Sequence, residues 1–178
     1  MAKIILFIAT SADGFIADQN GNVDWLPGPN TDELSNTKED GGYSEPLGKI
    51  DTIFMGETSY KQIITFGPWD WKDKNTYVFT TDKFLPKIDQ SIVFVSGNVQ
   101  KILNQAIVDG AKNIWLLGGA NLVSQFDKAH LIDECIITEV PIFLHKGISL
   151  ELDLQNYGLV EKKISKSISF VQYIYQKK

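Results

Sequence analysis

The sequence predicts one α/β domain of three layers, in which helices cover a mainly parallel central sheet and the last two strands form an antiparallel hairpin. Three patterns predict it. Strand-length apolar runs alternate with segments of helical period between residues 52 and 140, and glycines sit where several of these strands stop. Two β-rich runs then close the chain with no helical pattern between them, which a tight antiparallel connection explains.

The first strand is expected over residues 3–9, where Ile4-Ile-Leu-Phe-Ile-Ala9 runs apolar until Asp13-Gly14. That run is too short for the core of a signal peptide. Residues 20–48 are polar, glycine-rich and interrupted by proline, with one helical pattern over 31–38. Loops of this length in compact domains are usually functional. Further strands are expected over 52–55, 76–79, 92–95, 113–117 and 134–140, with the terminal pair over 159–164 and 168–175. Val99, Ile102, Leu103, Ala106 and Ile107 recur at helical spacing, so a helix is expected over 99–108, stopped by Gly110. Leu122, Val123, Phe126 and Ala129 mark another helix directly after Gly118-Gly119. In such sheets ligands bind beyond the carboxyl ends of the strands, where Gly56, Thr80 and Gly118 fall.

Composition narrows the function classes. A chain of 178 residues with 43% hydrophobic residues can bury one sizeable core. A net charge of −5 argues against nucleic acid or an anionic membrane as a partner, and no run approaches the ~20 apolar residues of a membrane span. The lone Cys135 cannot pair within the chain and suits a reducing, cytoplasmic setting. His130 and His145 are too far apart for a helix-borne ligand pair, so no metal site is expected. All 17 basic residues are lysine; any phosphate must be held by backbone amides, hydroxyls and lysines.

Two strand-to-helix junctions carry the chemistry. In Asn113-Ile-Trp-Leu-Leu-Gly-Gly-Ala-Asn-Leu122, two glycines without Cβ atoms precede a helix whose first amides face outward. That arrangement suits an anion, although a glycine pair after a strand also serves as a plain tight turn. Asp51-Thr-Ile-Phe-Met-Gly-Glu-Thr-Ser-Tyr60 repeats the pattern with Gly56 and Thr58. Thr80-Thr81-Asp82 reads either as further hydroxyls at a strand end or as a capped turn. Trp25 reads as a packed aromatic or as the anchor of a lid.

These junctions, with Ser11-Ala-Asp-Gly-Phe-Ile-Ala17, Asp24-Trp25 and Leu131-Ile-Asp-Glu134, resemble the dihydrofolate-reductase-like superfamily. The resemblance is nearest to the C-terminal reductase domain of the bifunctional riboflavin-biosynthesis deaminase/reductase and runs from Lys3 to Tyr175. It implies a dihydrofolate-reductase-like domain over residues 1–178, usually homodimeric, that binds NADPH or NADH and a small heterocyclic substrate. By resemblance the nicotinamide amide maps to Ala9, Ile16 and Ala17. The pyrophosphate maps to Gly118, Gly119, Ala120 and Asn121, and the adenosine side to Gly56, Glu57, Thr58, Thr80 and Thr81. Trp25 belongs to the loop that closes over nicotinamide and substrate, with Tyr43 nearby. Asp40 is the expected proton donor, although Lys38-Glu-Asp-Gly-Gly-Tyr43 also reads as a solvated turn.

One departure from the family pattern bears on the cofactor. Arg commonly follows the Met-Gly pair and meets the 2′-phosphate of NADPH, whereas this chain has Glu57, which repels a phosphate and can accept from a ribose diol. Glu57 also suits the first turn of a helix through the dipole alone. The expected function is reduction of a pteridine- or pyrimidine-type heterocycle by a nicotinamide, of the kind that acts on 5-amino-6-(5-phosphoribosylamino)uracil in riboflavin biosynthesis. A ligand-binding paralogue without turnover and a dihydrofolate reductase proper are the alternatives.

Overall fold

Eight strands form one sheet in the computed structural model of this chain, which describes residues 2–26, 47–165 and 170–178. In chain order the described elements are β1 (Lys3–Ser11), β2 (Phe15–Ala17), β3 (Thr52–Gly56), α1 (Glu57–Ile63), β4 (Asn75–Phe79), β5 (Ile92–Val95) and α2 (Val99–Val108). They continue with β6 (Asn113–Gly118), α3 (Ala120–Lys128), β7 (Glu134–Val140), β8 (Ile148–Ser149), β9 (Tyr157–Ile164) and β10 (Val171–Lys177). Strand order is β5-β4-β3-β6-β1-β7-β10-β9. Neighbours from β5 to β7 pair in parallel, and β10 pairs antiparallel with both β7 and β9. This is the dihydrofolate-reductase-like arrangement.

Side-chain alternation along the strands divides the core between the two faces of the sheet. Ile4, Leu6, Phe54, Ile114 and Leu116 point to one face, where they pack with Val99, Ile102, Leu103 and Ala106 of α2 and Leu122, Val123 and Phe126 of α3. Ile5, Ile53, Met55 and Trp115 point to the other, with Tyr60 of α1 and Trp69. Phe54 is the hub of the first cluster, meeting the rings of Tyr77, Phe79 and Phe126 edge-on at 5.3–5.8 Å between centroids. Cys135 is buried there, and burial pushes its thiol up to about 12.

The structure corrects one expectation. The apolar side chains on both faces of the last strand suit a sheet edge, but β10 lies inside the sheet and β9 is the edge, with Leu159, Val160 and Ile164 exposed. Asp133, directly before β7, accepts the amide of Ile4 at 2.8 Å on its carboxylate and so sets β7 beside β1. The helical pattern over 31–38 lies outside the described residues. Among the described residues no helix is long and apolar enough to cross a membrane.

Candidate functional site

Because β1, β3, β4 and β6 run parallel, their carboxyl ends share one rim of the sheet. At that rim Gly56 ends β3 and Gly118 ends β6, and a Cβ on Gly56 would sit only 3.7 Å from the Gly118 oxygen and the Gly119 nitrogen. The two glycine corners therefore abut. Gly118 has φ +123°, a conformation that side-chain-bearing residues rarely adopt, and the Gly118–Gly119 peptide is cis. Gly119 has φ −80°, and a Cβ there would meet only Ser59 Oγ at 3.6 Å. The backbone conformation thus requires glycine at 118, and the packing leaves room beside 119.

Helix caps separate the two helices of this rim from the third. Asn98 caps α2 by accepting from Gln100 N and Lys101 N, whereas α1 and α3 open on Gly56 and Gly119 without a side-chain cap. The amides that begin α3 are left to other acceptors.

Beside these corners lies a cavity of about 680 Å³. Its floor is apolar, from Phe7, Ile8 and Ala9 of β1 and Trp115 and Leu117 of β6. Ile16 and Ala17 of β2 and Ile148 of β8 form one wall; Thr58, Ser59, Gln62 and Ile63 of α1 form another. Ala120, Asn121, Ser124, Gln125 and Lys128 of α3 complete the lining, with Glu151 and the loop residues Gly21, Val23 and Leu26 at its margins. The Trp115 indole N–H donates to the Phe7 carbonyl at 3.0 Å, fixing the ring against the floor.

The structure places Ala9, Ile16, Ala17, Thr58, Ala120 and Asn121 on this one surface, with Gly118 and Gly119 adjoining it. Gly56, Glu57, Thr80 and Thr81 are not part of the lining. Trp25 is not on the wall either, although its neighbours Val23 and Leu26 are; its shielded indole N–H meets no acceptor among the described residues. Asp40 and Tyr43 lie outside the described residues.

Glu57 belongs to a small polar network instead. One carboxylate oxygen accepts from Lys61 at 2.6 Å and the other from Thr80 Oγ1 at 2.5 Å, while Lys61 also reaches Asp82 at 3.3 Å. Hydrogen bonds from Lys61 first and Thr80 second hold Glu57 below the usual carboxylate range. Thr80 Oγ1 also accepts from Asp82 N at 2.9 Å, so the capped-turn reading of Thr80-Thr81-Asp82 describes its geometry.

Sequence reasoning missed two features of the site. Gln62 Nε2 donates to the Gly21 carbonyl at 3.0 Å, tying the loop after β2 to α1 across the cavity. The two-stranded β2–β8 sheet that makes one wall was also unforeseen. Neither leaves a local signal, because strands of two or three residues show no period and an amide–carbonyl contact 41 residues apart shows no spacing.

Comparison with known proteins agrees with this architecture. The family model for the RibD C-terminal domain matches residues 67–156. Two uncharacterized proteins of Bacillus subtilis strain 168 are relatives. YwjB is 36% identical over 157 residues, covering 86% of this chain and 85% of its own, and YyaP is 31% identical over 188 residues, covering 97% and 94%. A crystal structure from Shewanella sp. PV-4, described as a riboflavin biosynthesis protein, superposes with a TM-score of 0.82 at 29% identity over 100% of this chain and 99% of that one. Dihydrofolate reductase from Enterococcus faecalis with NADP(H) and RAB-propyl shares the fold, with a TM-score of 0.70 at 15% identity over 98% and 96% of the two chains. The deaminase/reductase from Thermotoga maritima also gives 0.70, at 13% identity, and there this chain spans 57% of the longer protein. On the family match and these relatives, the chain belongs to the RibD C-terminal domain family.

Proposed function

We propose that this protein is a nicotinamide-dependent reductase of a pyrimidine- or pteridine-type heterocycle, and that its cofactor and substrate meet in the cavity over Phe7, Ala9 and Trp115. The observation that carries the reading is the pair of abutting glycine corners beside an apolar cavity of about 680 Å³, a volume suited to a nucleotide and a small ring.

The donor set fits a dinucleotide. The uncapped amides opening α3, the free space beside Gly119 and the Ser59 hydroxyl suit a pyrophosphate in a chain that has no arginine. The backbone of Ala9, Ile16 and Ala17 offers amide and carbonyl groups to a carboxamide, and the floor of Phe7, Ile8 and Leu117 suits a planar ring. A bound nicotinamide supplies the hydride. The work of the chain is to hold two rings face to face, exclude water with its apolar floor and deliver one proton. Asp40 is the proposed source of that proton, acting as a carboxylic acid.

Fluorescence titration of the protein with NADPH and NADH tests the reading, because Trp115 lies on the cavity floor. Quenching that saturates, followed by oxidation of the reduced cofactor when 5-amino-6-ribosylaminopyrimidines or dihydropteridines are added, is expected. Saturable binding without turnover of any such ring supports the alternative of a ligand-binding paralogue. The Glu57 network sets two carboxylates around Lys61 at the turn that the resemblance assigns to the adenosine side, and this supports that alternative. Absence of binding by either cofactor overturns both.

A further inference from the structure

Ser11-Ala-Asp-Gly14 is among the most distinctive motifs of the chain, yet neither Ser11 nor Asp13 lines the cavity. The Asp13 carboxylate is instead the meeting point of three donors. Ser11 Oγ donates to one oxygen at 2.7 Å, where the amide of Leu144 also arrives at 3.1 Å, and the amide of His145 reaches the other at 2.7 Å. The Ser11 hydroxyl is buried and accepts the amide of Phe15 at 3.0 Å, so the same two side chains fix the entry to β2. A backbone bond from Ala12 N to the Ile142 carbonyl at 2.9 Å runs alongside. These contacts join residues 131 and 132 positions apart.

What they hold is a wall of the cavity. Residues 141–147 lead from β7 into β8, and β8 pairs with β2 through Phe15 opposite Ser149 and Ala17 opposite Ile148. Gly147 lies so close that a Cβ would collide with the Ala17 carbonyl and press on the Phe15 ring. Ile16, Ala17 and Ile148 face the cavity. With only two residues, β8 has little intrinsic hold on β2, so its seat depends on the segment before it.

We propose that Asp13 is a positioning residue: its carboxylate, oriented by Ser11, pins residues 144 and 145 and so seats the β2–β8 wall against which the ring end of the bound ligand rests. It acts through Ile16, Ala17 and Ile148 and touches no ligand itself. The inference about the ligand rests on the reading in the preceding subsection; the seat of the wall does not.

The experiment compares the wild-type chain with Asp13→Ala, which removes both acceptor oxygens, and Asp13→Asn, which keeps the shape but sets an amide donor against the Leu144 or His145 N–H. Backbone amide hydrogen exchange reads the wall directly. Affinity for the preferred reduced dinucleotide and for ADP-ribose, which lacks the nicotinamide, reads the site. Exchange at Leu144, His145, Ile148 and Ala17 is expected to speed up roughly tenfold or more in both variants, while amides of α2 and β6 keep their protection. Dinucleotide affinity is expected to fall about tenfold with ADP-ribose affinity unchanged. Unaltered exchange at residues 144, 145 and 148 overturns the proposal, and so does an equal loss of affinity for both ligands. If Asp13→Ala does not fold, Asp13→Asn decides by the same two readouts. If wild type binds neither ligand, the reductase reading falls, and the exchange pattern still decides the seat of the wall.

Discussion

Glu57 accepts the Thr80 hydroxyl at 2.5 Å, which locks the first turn of α1 to the end of β4. Lys61 closes the network from the next turn of the helix, and Asp82 adds a second carboxylate to it. A phosphate arriving at this corner meets two negative groups and one lysine. Wild type is therefore expected to prefer NADH, and Glu57→Arg to raise NADPH affinity about ten- to a hundredfold while leaving NADH nearly unchanged. Titrating both cofactors against both proteins checks this. Equal shifts for the two would mean that the Glu57 network faces away from the ribose 2′ position.

The two glycines of the β6–α3 junction are expected to respond differently to substitution. Gly118→Ala forces a side-chain-bearing residue to φ +123° and is expected to cost about 1–3 kcal/mol of stability. Gly119→Ala adds a methyl where only Ser59 Oγ approaches, so thermal unfolding should stay near wild type. Gly119→Val is expected to weaken dinucleotide binding far more than folding, because its branched side chain enters the space assigned to the pyrophosphate. Normal binding by a folded Gly119→Val protein would place the pyrophosphate elsewhere.

Cys135 is expected to be silent chemically and costly at high pH. Its thiol is pushed up from about 9 to about 12, chiefly by burial and secondarily by the Asp127 and Glu134 charges. The folded state therefore keeps the neutral thiol after the unfolded chain has begun to ionise. Its contribution is complete below about pH 9 and is lost as the pH rises toward 12. Tyr157 and Tyr77, raised by burial and by their bonds to Asp127 and Asp109, act in the same direction. Denaturant unfolding should show stability falling through this alkaline range, and a thiol reagent at neutral pH should label the chain only when it is unfolded.

The edge strand leads to an expectation about assembly. Leu159, Val160 and Ile164 are each more than half exposed on β9, whose outer side has no strand partner among the described residues. An apolar edge of this kind favours cover by another chain. A homodimer is expected in light scattering at tens of micromolar, and Ile164→Lys should shift it toward monomer. A monomeric wild type would refute the assembly.

Much of the fold was legible because it is written in local period. Val99, Ile102, Leu103 and Ala106 gave α2 with both ends correct, and the apolar runs gave β5 and β7 to the residue. Edge position was not legible. The apolar residues of β10 fit an inner strand as well as an outer one, and only pairing with β9 decides between them. At the site, Ala9, Ile16 and Asn121 are far apart in sequence and came together through a family resemblance, not through spacing. The contacts of Asp13 could not be read at all, since its partners Leu144 and His145 give only backbone amides and no residue type announces an amide.

The place of β1 in the sheet also governs when the molecule can become whole. β1 lies between β6 and β7, pairing Lys3 with Asn113 and Ile5 with Glu134, so once synthesised it has no neighbour in the sheet until more than a hundred further residues have emerged from the ribosome. Until then Ile4, Ile5 and Leu6, all buried at the end, remain exposed. Contacts of such sequence separation slow folding and leave apolar segments open to other chains. Nascent chains halted before β7 should accordingly be the form most readily held by chaperones, and release should follow once Val140 has cleared the exit tunnel.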